Sequence, residues 1–341
     1  MAQAYMGADM AEFDASVIIP LGTGDRPEGT LCAALEKQTW PLGKFEVVFI
    51  GADLDSRSMA AHDERRVPGS VVMRQIRVPG TVEPDLIHRA ARAARGECLI
   101  CMGCDMLPSS HFVEAHVSAH RDLDGWGLAY GASLPHPRLR PGKFTRWTLP
   151  DEKPTKDAAG DVHSHETVAC CNNFSLLKER YFDLGGLPGG YFTATMSIAA
   201  LGSRIRRKGG QIFHVPRARA LLWRCTDLDT LRRWMYLRGM DIHTLKNDDP
   251  DLHALFVKLY RLDRFSLRRL IDGFYHPNRV KVCRQGPQDV RVLGSLLERL
   301  LTHERYLGYR DAKRHRRPAW SPMGRPTFMA ALDPDQEEPT N

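Results

Sequence analysis

At 341 residues, 43% hydrophobic and 26% charged, the chain has the composition of a globular protein, which excludes a fibrous, collagen-like or disordered one. That length lets it bury roughly 75% of the surface its unfolded form exposes, so no disulfide framework is required. The net charge of +7 is unevenly spread: residues 204–317 hold 27 Lys and Arg against 12 Asp and Glu, a field that attracts nucleotide phosphates, an anionic membrane face or nucleic acid.

In chain order, Ser16-Val17-Ile18-Ile19-Pro20 reads as a buried strand feeding a loop through Gly22, Thr23 and Gly24. The segment Glu28 to Gln38 places Leu31, Ala34 and Leu35 on one helical face. Phe45 to Ile50 and Val71 to Val78 read as further strands, with polar, helix-compatible sequence from Met59 to Arg66 between them. Pro84 to Arg95 predicts a helix stopped by Gly96, Glu97 to Met102 a fourth strand, and His111 to His120 another helix. Strands alternating with helices predict βαβ units in a mainly parallel sheet, with ligands beyond the strands' carboxyl ends. The loops 21–27, 51–57 and 103–108 are therefore the ones to watch.

Pro135 to Thr167 reads as a long polar excursion. Order is expected again at Asn172 to Leu177, at Glu179 to Leu184 followed by Gly185-Gly186, in a helix from Ser197 to Lys208, and in a strand from Gln211 to Val215 that Pro216 ends. Leu228 to Leu245 and Val290 to Tyr309 carry helical apolar stripes, and the residues beyond Asp311 turn basic, then Pro-rich and acidic, as in a mobile tail. The division expected is 14–225, 226–317 as a basic helical extension, and 318–341 as the tail.

No apolar run reaches the roughly 18 residues a membrane span needs. The first residues also lack the basic-then-apolar order of a signal peptide, so a cytoplasmic location is expected. Cys98, Cys101 and Cys104 have the spacing of an iron–sulfur motif, with Pro108 where a fourth cysteine would fall. On a strand, Cys98 and Cys101 would face opposite ways, and the adjacent Cys170 and Cys171 would also diverge, so the cysteines read as small core residues in a reducing compartment.

Three stretches carry a resemblance. The first runs from the opening strand through Leu35-Glu36-Lys37-Gln38-Thr39-Trp40-Pro41 into Phe45-Glu46-Val47-Val48. Next comes Ala93-Ala94-Arg95-Gly96-Glu97 leading to Cys104-Asp105-Met106-Leu107-Pro108. The last spans Asn172-Asn173-Phe174-Ser175, Gly185-Gly186-Leu187, Arg206-Arg207-Lys208-Gly209-Gly210-Gln211 and Val215-Pro216. In this order and spacing they resemble the family-2 glycosyltransferases with the GT-A fold, a Rossmann-like α/β architecture, with the C-terminal helices outside the match.

That resemblance implies transfer of a sugar from a nucleotide-diphosphate donor to an acceptor, with inversion at the anomeric carbon. It implies a divalent cation, Mn or Mg, held by an Asp-x-Asp motif, and a carboxylate base on a later helix. Departing diphosphate builds negative charge, and a hydroxyl is a poor nucleophile without a base, which is why those groups are needed. Here the motif reads Gly103-Cys104-Asp105, and the acid-rich helix start reads Ser197-Ile198-Ala199-Ala200. The usual histidine after the last strand falls near Leu222, the usual Arg-Asn pair reads Ile87-His88, and the base-recognising acid falls near Gly51 or Ala52.

The resemblance places the donor against Pro20, Leu21, Gly22 and Thr23, Asp53 and Asp55, with Asp105 as donor and metal residue. Arg219 and Arg224 are placed to bind diphosphate, since a guanidinium fork matches phosphate oxygens. His163, His165 and Glu166 form the densest titratable cluster and are the candidate base, with Asn172 and Asn173 on the acceptor side. Trp40 and Trp234 read as packing residues. Arg232, Arg233, Arg268, Arg269 and 313–317 read as a solvated face, or as a peripheral contact with the inner membrane surface. Two readings stay open: a working transferase, or a catalytically degenerate module that binds or scaffolds. Nucleic-acid binding is not expected, because no zinc-finger or RNP-type motif accompanies the charge.

Overall fold

The computed structural model describes residues 11–22, 29–51, 70–78, 82–122, 126–137, 173–222, 228–262, 279–280, 283 and 290–316. Its strands are β1 (Phe13–Leu21), β2 (Phe45–Gly51), β3 (Val72–Arg77), β4 (Gly96–Met102), β5 (Met106–Pro108), β6 (Gly127–Pro135), β7 (Asn173–Leu177) and β8 (Gln211–Leu222). The helices are α1 (Gly29–Glu36), α2 (Glu83–Ala93), α3 (Phe112–Asp122), α4 (Lys178–Asp183), α5 (Ala194–Arg207), α6 (Leu228–Asp248), α7 (Pro250–Tyr260) and α8 (Val290–Lys313).

The strands form one eight-stranded sheet in the order β3-β2-β1-β4-β7-β6-β8-β5. β1 to β4 are mutually parallel, β7 runs against both β4 and β6, β8 is parallel to β6, and β5 is antiparallel to β8. Six strands therefore end at the same edge, and only β5 and β7 run the other way. Every residue of β2 is buried, as expected of a strand covered on both faces. One face packs on α2 and α5 through Leu86, Ala90, Ile198 and Leu201. The other packs on α1 and α3 through Leu31, Leu35, Phe112 and Val117.

The motif segments have structural reasons. Glu46 is fully buried and accepts from Ser16 Oγ at 2.7 Å, Arg74 Nε at 2.8 Å and the Arg95 backbone N at 2.7 Å. Burial pushes its carboxyl up, but these donors outweigh burial and hold it below the usual range. Gln38 spans two elements: its Nε2 donates to Ser109 O at 2.8 Å, while its Oε1 accepts from Val113 N at 3.0 Å, satisfying a free N–H at the start of α3.

Gly96 is expected as the residue that stops the helix. It begins β4 instead, and α2 ends at Ala94 with φ −63° and ψ 141°. A Cβ at Gly96 would lie 2.2 Å from the Ala15 carbonyl carbon, so close approach of β1 requires the glycine.

Pro216 was expected to end its strand, yet β8 continues to Leu222. The pairing jumps from Gly131↔Val215 to Ser133↔Ala220, so Pro216 sits in an irregularity where no ladder N–H is missed. Opposite it, a Cβ on Gly131 would lie 1.9 Å from Ala218 O. This explains β6, a Gly- and Ala-rich strand with no clear signal in the sequence.

The helices after β8 share a core with α5. Met196, Ala199 and Ala200 pack with Ile242 and Leu245 of α6 and Leu252 and Phe256 of α7. α6 and α8 cross at backbone contact, since a Cβ on Gly239 would lie 1.9 Å from Arg305 O and one on Gly308 would lie 1.8 Å from Tyr236 O.

Candidate active site

β1, β2, β4, β6 and β8 end at the same edge of the sheet, where a turn leads from β4 into β5. Leu21 pairs with Gly51, and a Cβ on Gly51 would come within 2.8 Å of Leu21 O, so the glycine lets the two strand ends close. Pro20 and Leu21 are buried and Gly22 half-buried. Pro20 and Leu21 thus form the floor of the edge, with Gly22 at its rim. Thr23, Asp53, Asp55, His163, His165, Glu166, Asn172 and Arg224 lie outside the described residues.

Asp105 is 5% exposed, and its Oδ1 has no hydrogen-bond partner. It sits in a turn closed by Met106 N to Gly103 O at 3.2 Å. Buried carboxylate oxygens are normally paired, so this orphaned one is a candidate for a ligand or cation. The next residue, Met106, pairs with Leu222 at the end of β8.

Leu222 also ties in a residue that sequence reasoning missed. Pro135 pairs with Leu222 from β6, and the backbone N of His136 donates to Leu222 O at 3.0 Å. Because β5 runs against β8 and β6 runs with it, Asp105 and His136 flank the end of β8 at the same edge. Two strand spacings put their backbones about 10 Å apart. The position of the family's usual histidine falls near Leu222, where this chain has none; His136 lies beside it at the end of the neighbouring strand. Arg219 is exposed on β8, and its backbone O accepts from Ser109 N at 2.9 Å.

Asn173, which the sequence reading sets beside the acceptor region, is fully buried in β7. Its Nδ2 donates to Ala218 O at 2.8 Å beside the irregularity in β8, so its Oδ1 accepts from His116 Nε2 at 2.8 Å. Neutral His116 then accepts the Ser175 hydroxyl at Nδ1, 2.8 Å away, and Ser175 Oγ accepts from His120 Nε2 at 2.9 Å. That chain leaves His120 Nδ1 bare and without a partner. Burial drives both imidazoles down, His116 to about 3 and His120 to about 4, so both are neutral core groups.

α5 runs back along the sheet to feed β8, which puts its start toward the carboxyl edge. Its first turn holds no acid. A carboxylate arrives there from α6: Asp241, fully buried, accepts from Phe192 N at 2.8 Å, Thr193 N at 2.9 Å and Thr193 Oγ1 at 2.6 Å. Burial raises its carboxyl to about 7, against the pull of these donors and of Arg238. Sealed and fully bonded, it anchors the residues leading into α5 and cannot reach a substrate.

Among the described residues no group of three or more His, Cys, Asp or Glu could hold a metal ion. Cys98 and Cys101 pack into opposite faces of the sheet, and burial raises both thiols, Cys98 to about 12, which suits core residues rather than ligands. Trp40 packs against the α1–α3 face with Arg121 over its ring at 5.0 Å.

No family model and no curated protein matches the chain. Solved structures do. The mannosyltransferase PcManGT from Pyrobaculum calidifontis, in complex with GDP-Man and Mn2+, superposes with a TM-score of 0.52 at 15% identity, covering 89% of this chain and 88% of that one. Residues 1–349 of S. aureus TarS give 0.51 at 11% identity, covering 89% and 92%. The longer TarS chain gives 0.52 at 14% identity, covering 90% of this chain and 56% of that one. These spans exceed what residues 14–225 alone make up, so the likeness takes in part of the C-terminal helices. The chain has the GT-A-like fold of glycosyltransferases, a mixed α/β sheet flanked by helices.

Proposed function

We propose that the chain transfers a sugar from a nucleoside-diphosphate donor to an acceptor hydroxyl, with inversion, at the edge where Asp105 and His136 flank β8. The observation that carries this reading is the buried, unpaired Oδ1 of Asp105, set at the strand edge where α/β folds bind ligands. The solved PcManGT, which holds GDP-Man and Mn2+, supports a nucleotide-sugar ligand and a divalent cation.

One carboxylate fits such a cation if the diphosphate completes its shell, because Mg2+ is commonly bound through one or two carboxylates plus substrate phosphates. Asp105 would hold it, with His136 near the leaving group and Arg219 on the flank; Arg224 is a further candidate for the diphosphate by its sequence alone. Bound there, the cation would neutralise charge on the departing diphosphate. The acceptor oxygen forms a bond to the anomeric carbon as the bond to the diphosphate oxygen breaks, and its proton passes to a base. His163, His165 and Glu166 are the candidates for that base. A cytoplasmic acceptor held at the inner membrane face would suit the basic extension.

A second reading is favoured by the acid-free first turn of α5: the edge binds an activated sugar without turning it over. Incubation with GDP- and UDP-linked sugars, with and without manganese, separates the two. Donor hydrolysis that Asp105→Ala abolishes supports the transferase. Binding without release of nucleoside diphosphate supports the second reading, and neither response rules out both.

A further inference from the structure

β6 and β8 pair in two stretches. Gly127 to Gly131 run beside Gln211 to Val215, and after the register jump Ser133 to Pro135 run beside Ala220 to Leu222. In this second stretch Leu222, Leu221 and Ala220 also pair with Met106, Leu107 and Pro108 of β5. Three short strand ends thus form a tip of the sheet, and both candidate site residues sit on it. Asp105 immediately precedes Met106, and the backbone N of His136 donates to Leu222 O at 3.0 Å.

Where the tip begins, the β6–β8 ladder skips Ala132 on one strand and Pro216 to Arg219 on the other. Asn173 bridges that interruption from β7. Its Nδ2 donates to Ala218 O at 2.8 Å and to Ala132 O at 3.4 Å, one N–H to each strand. A Cβ on Gly131 would lie 2.4 Å from that nitrogen and 1.9 Å from Ala218 O, so the glycine clears the space in which the bond lies. Turned over, the amide would set Oδ1 against two carbonyl oxygens; His116 Nε2, 2.8 Å from Oδ1, completes the opposite arrangement. The backbone of Asn173 pairs with Met102, the last residue of β4 before the Asp105 turn.

Asp105 is therefore strung between Met102, paired with Asn173, and Met106, paired with Leu222. His136 is strung between Ala132, bonded to the Asn173 amide, and Leu222. We infer, on the reading of Asp105 and His136 as site residues, that Asn173 is a positioning residue: its carboxamide fixes the tip against the sheet and with it the placement of both residues about the end of β8. A buried amide is costly unless its groups are bonded, and here both N–H groups are spent across the one break in the ladder that supports the site. Small errors in such placement weaken ligand contacts made several residues away.

Amide hydrogen exchange on the full chain, read residue by residue, tests the bridge without any donor. Asn173→Ala should speed exchange at Met106 N and His136 N roughly tenfold more than at the amides of β2. Gly131→Ala, which sets a methyl group in the same bond, should do likewise. His116→Gln, which can still donate to Oδ1, should leave the tip protected. Calorimetry with GDP- and UDP-linked sugars and manganese, at a temperature where every variant is folded, then reads the site. Donor affinity should fall roughly tenfold in Asn173→Ala and hold in Gly239→Ala, which loosens the α6–α8 crossing instead. Exchange accelerated evenly through the sheet, or undiminished donor affinity in Asn173→Ala, overturns the proposal. A wild type that binds no donor removes the transferase reading instead, and the exchange pattern still decides whether Asn173 holds the tip.

Discussion

Asp241, in the middle of α6, accepts both the backbone N–H and the hydroxyl of Thr193, the residue immediately before α5. A carboxylate from the C-terminal helices thus anchors the two residues that lead into a helix packed on the sheet, and complements that helix's dipole.

Removing that carboxylate strands three partly buried donors. Asp241→Ala should cost about 2–4 kcal/mol, read as a lower midpoint in urea with little change in slope. Asp241→Asn, which offers only one acceptor oxygen, should fall between it and the wild type. Wild-type stability in both variants would mean that the contact is incidental.

The buried imidazole pair sets an acid limit. Both His116 and His120 have folded pKa values depressed below the unfolded one, so the stability they contribute is complete above about pH 6.5. It is lost as pH falls toward about 4 for His120 and about 3 for His116. Two groups can steepen the fall by at most roughly 2.7 kcal/mol per pH unit. His120→Gln removes one titrating group, so unfolding midpoints across this range should fall less steeply in the variant; parallel curves would refute the assignment.

The helix crossing leaves no room for a methyl group. Gly239→Ala and Gly308→Ala each gain helix propensity of about 1 kcal/mol, yet each sets a Cβ within 2 Å of a backbone carbonyl oxygen, at 1.9 and 1.8 Å. The axes must separate, so both variants should lose about 2–4 kcal/mol by thermal or urea unfolding. A gain in stability would show that the crossing is looser than described.

At the strand edge, Asp105→Asn should keep the fold, because Oδ1 makes no hydrogen bond to lose, while weakening donor binding and its response to manganese. His136→Ala should weaken donor binding as well. Titration calorimetry on folded variants reads both, and undiminished affinity in the two would remove them from the site.

The parallel half of the sheet was legible because β1, β2 and β4 are apolar runs between turn residues, and position along such a strand decides exposure. The half containing β6 and β8 was not. There, Gly127 and Gly131 serve close backbone approach, and Pro216 falls at a register jump; both look like strand breakers until the partner strand is known. α7 is absent from the sequence reading, although Asp249 caps its start, its Oδ1 accepting from Leu252 N at 3.1 Å. Asp105 was legible as an acid ending a buried strand. Asn173 shows that a polar residue inside a strand serves a core network as readily as a surface. His136 and Asp241 gave no sequence signal, since their positions depend on pairings across the fold; Asp241 meets Thr193 from 48 residues away.

The most direct measurement is the melting temperature of wild type and Asp105→Ala over a panel of GDP- and UDP-linked sugars with manganese. A sugar nucleotide at a hundred times its dissociation constant should stabilise the wild type by about 2.7 kcal/mol, with most of that gain absent in the variant. No shift with any donor, or equal shifts in both proteins, would contradict a diphosphate seated against Asp105.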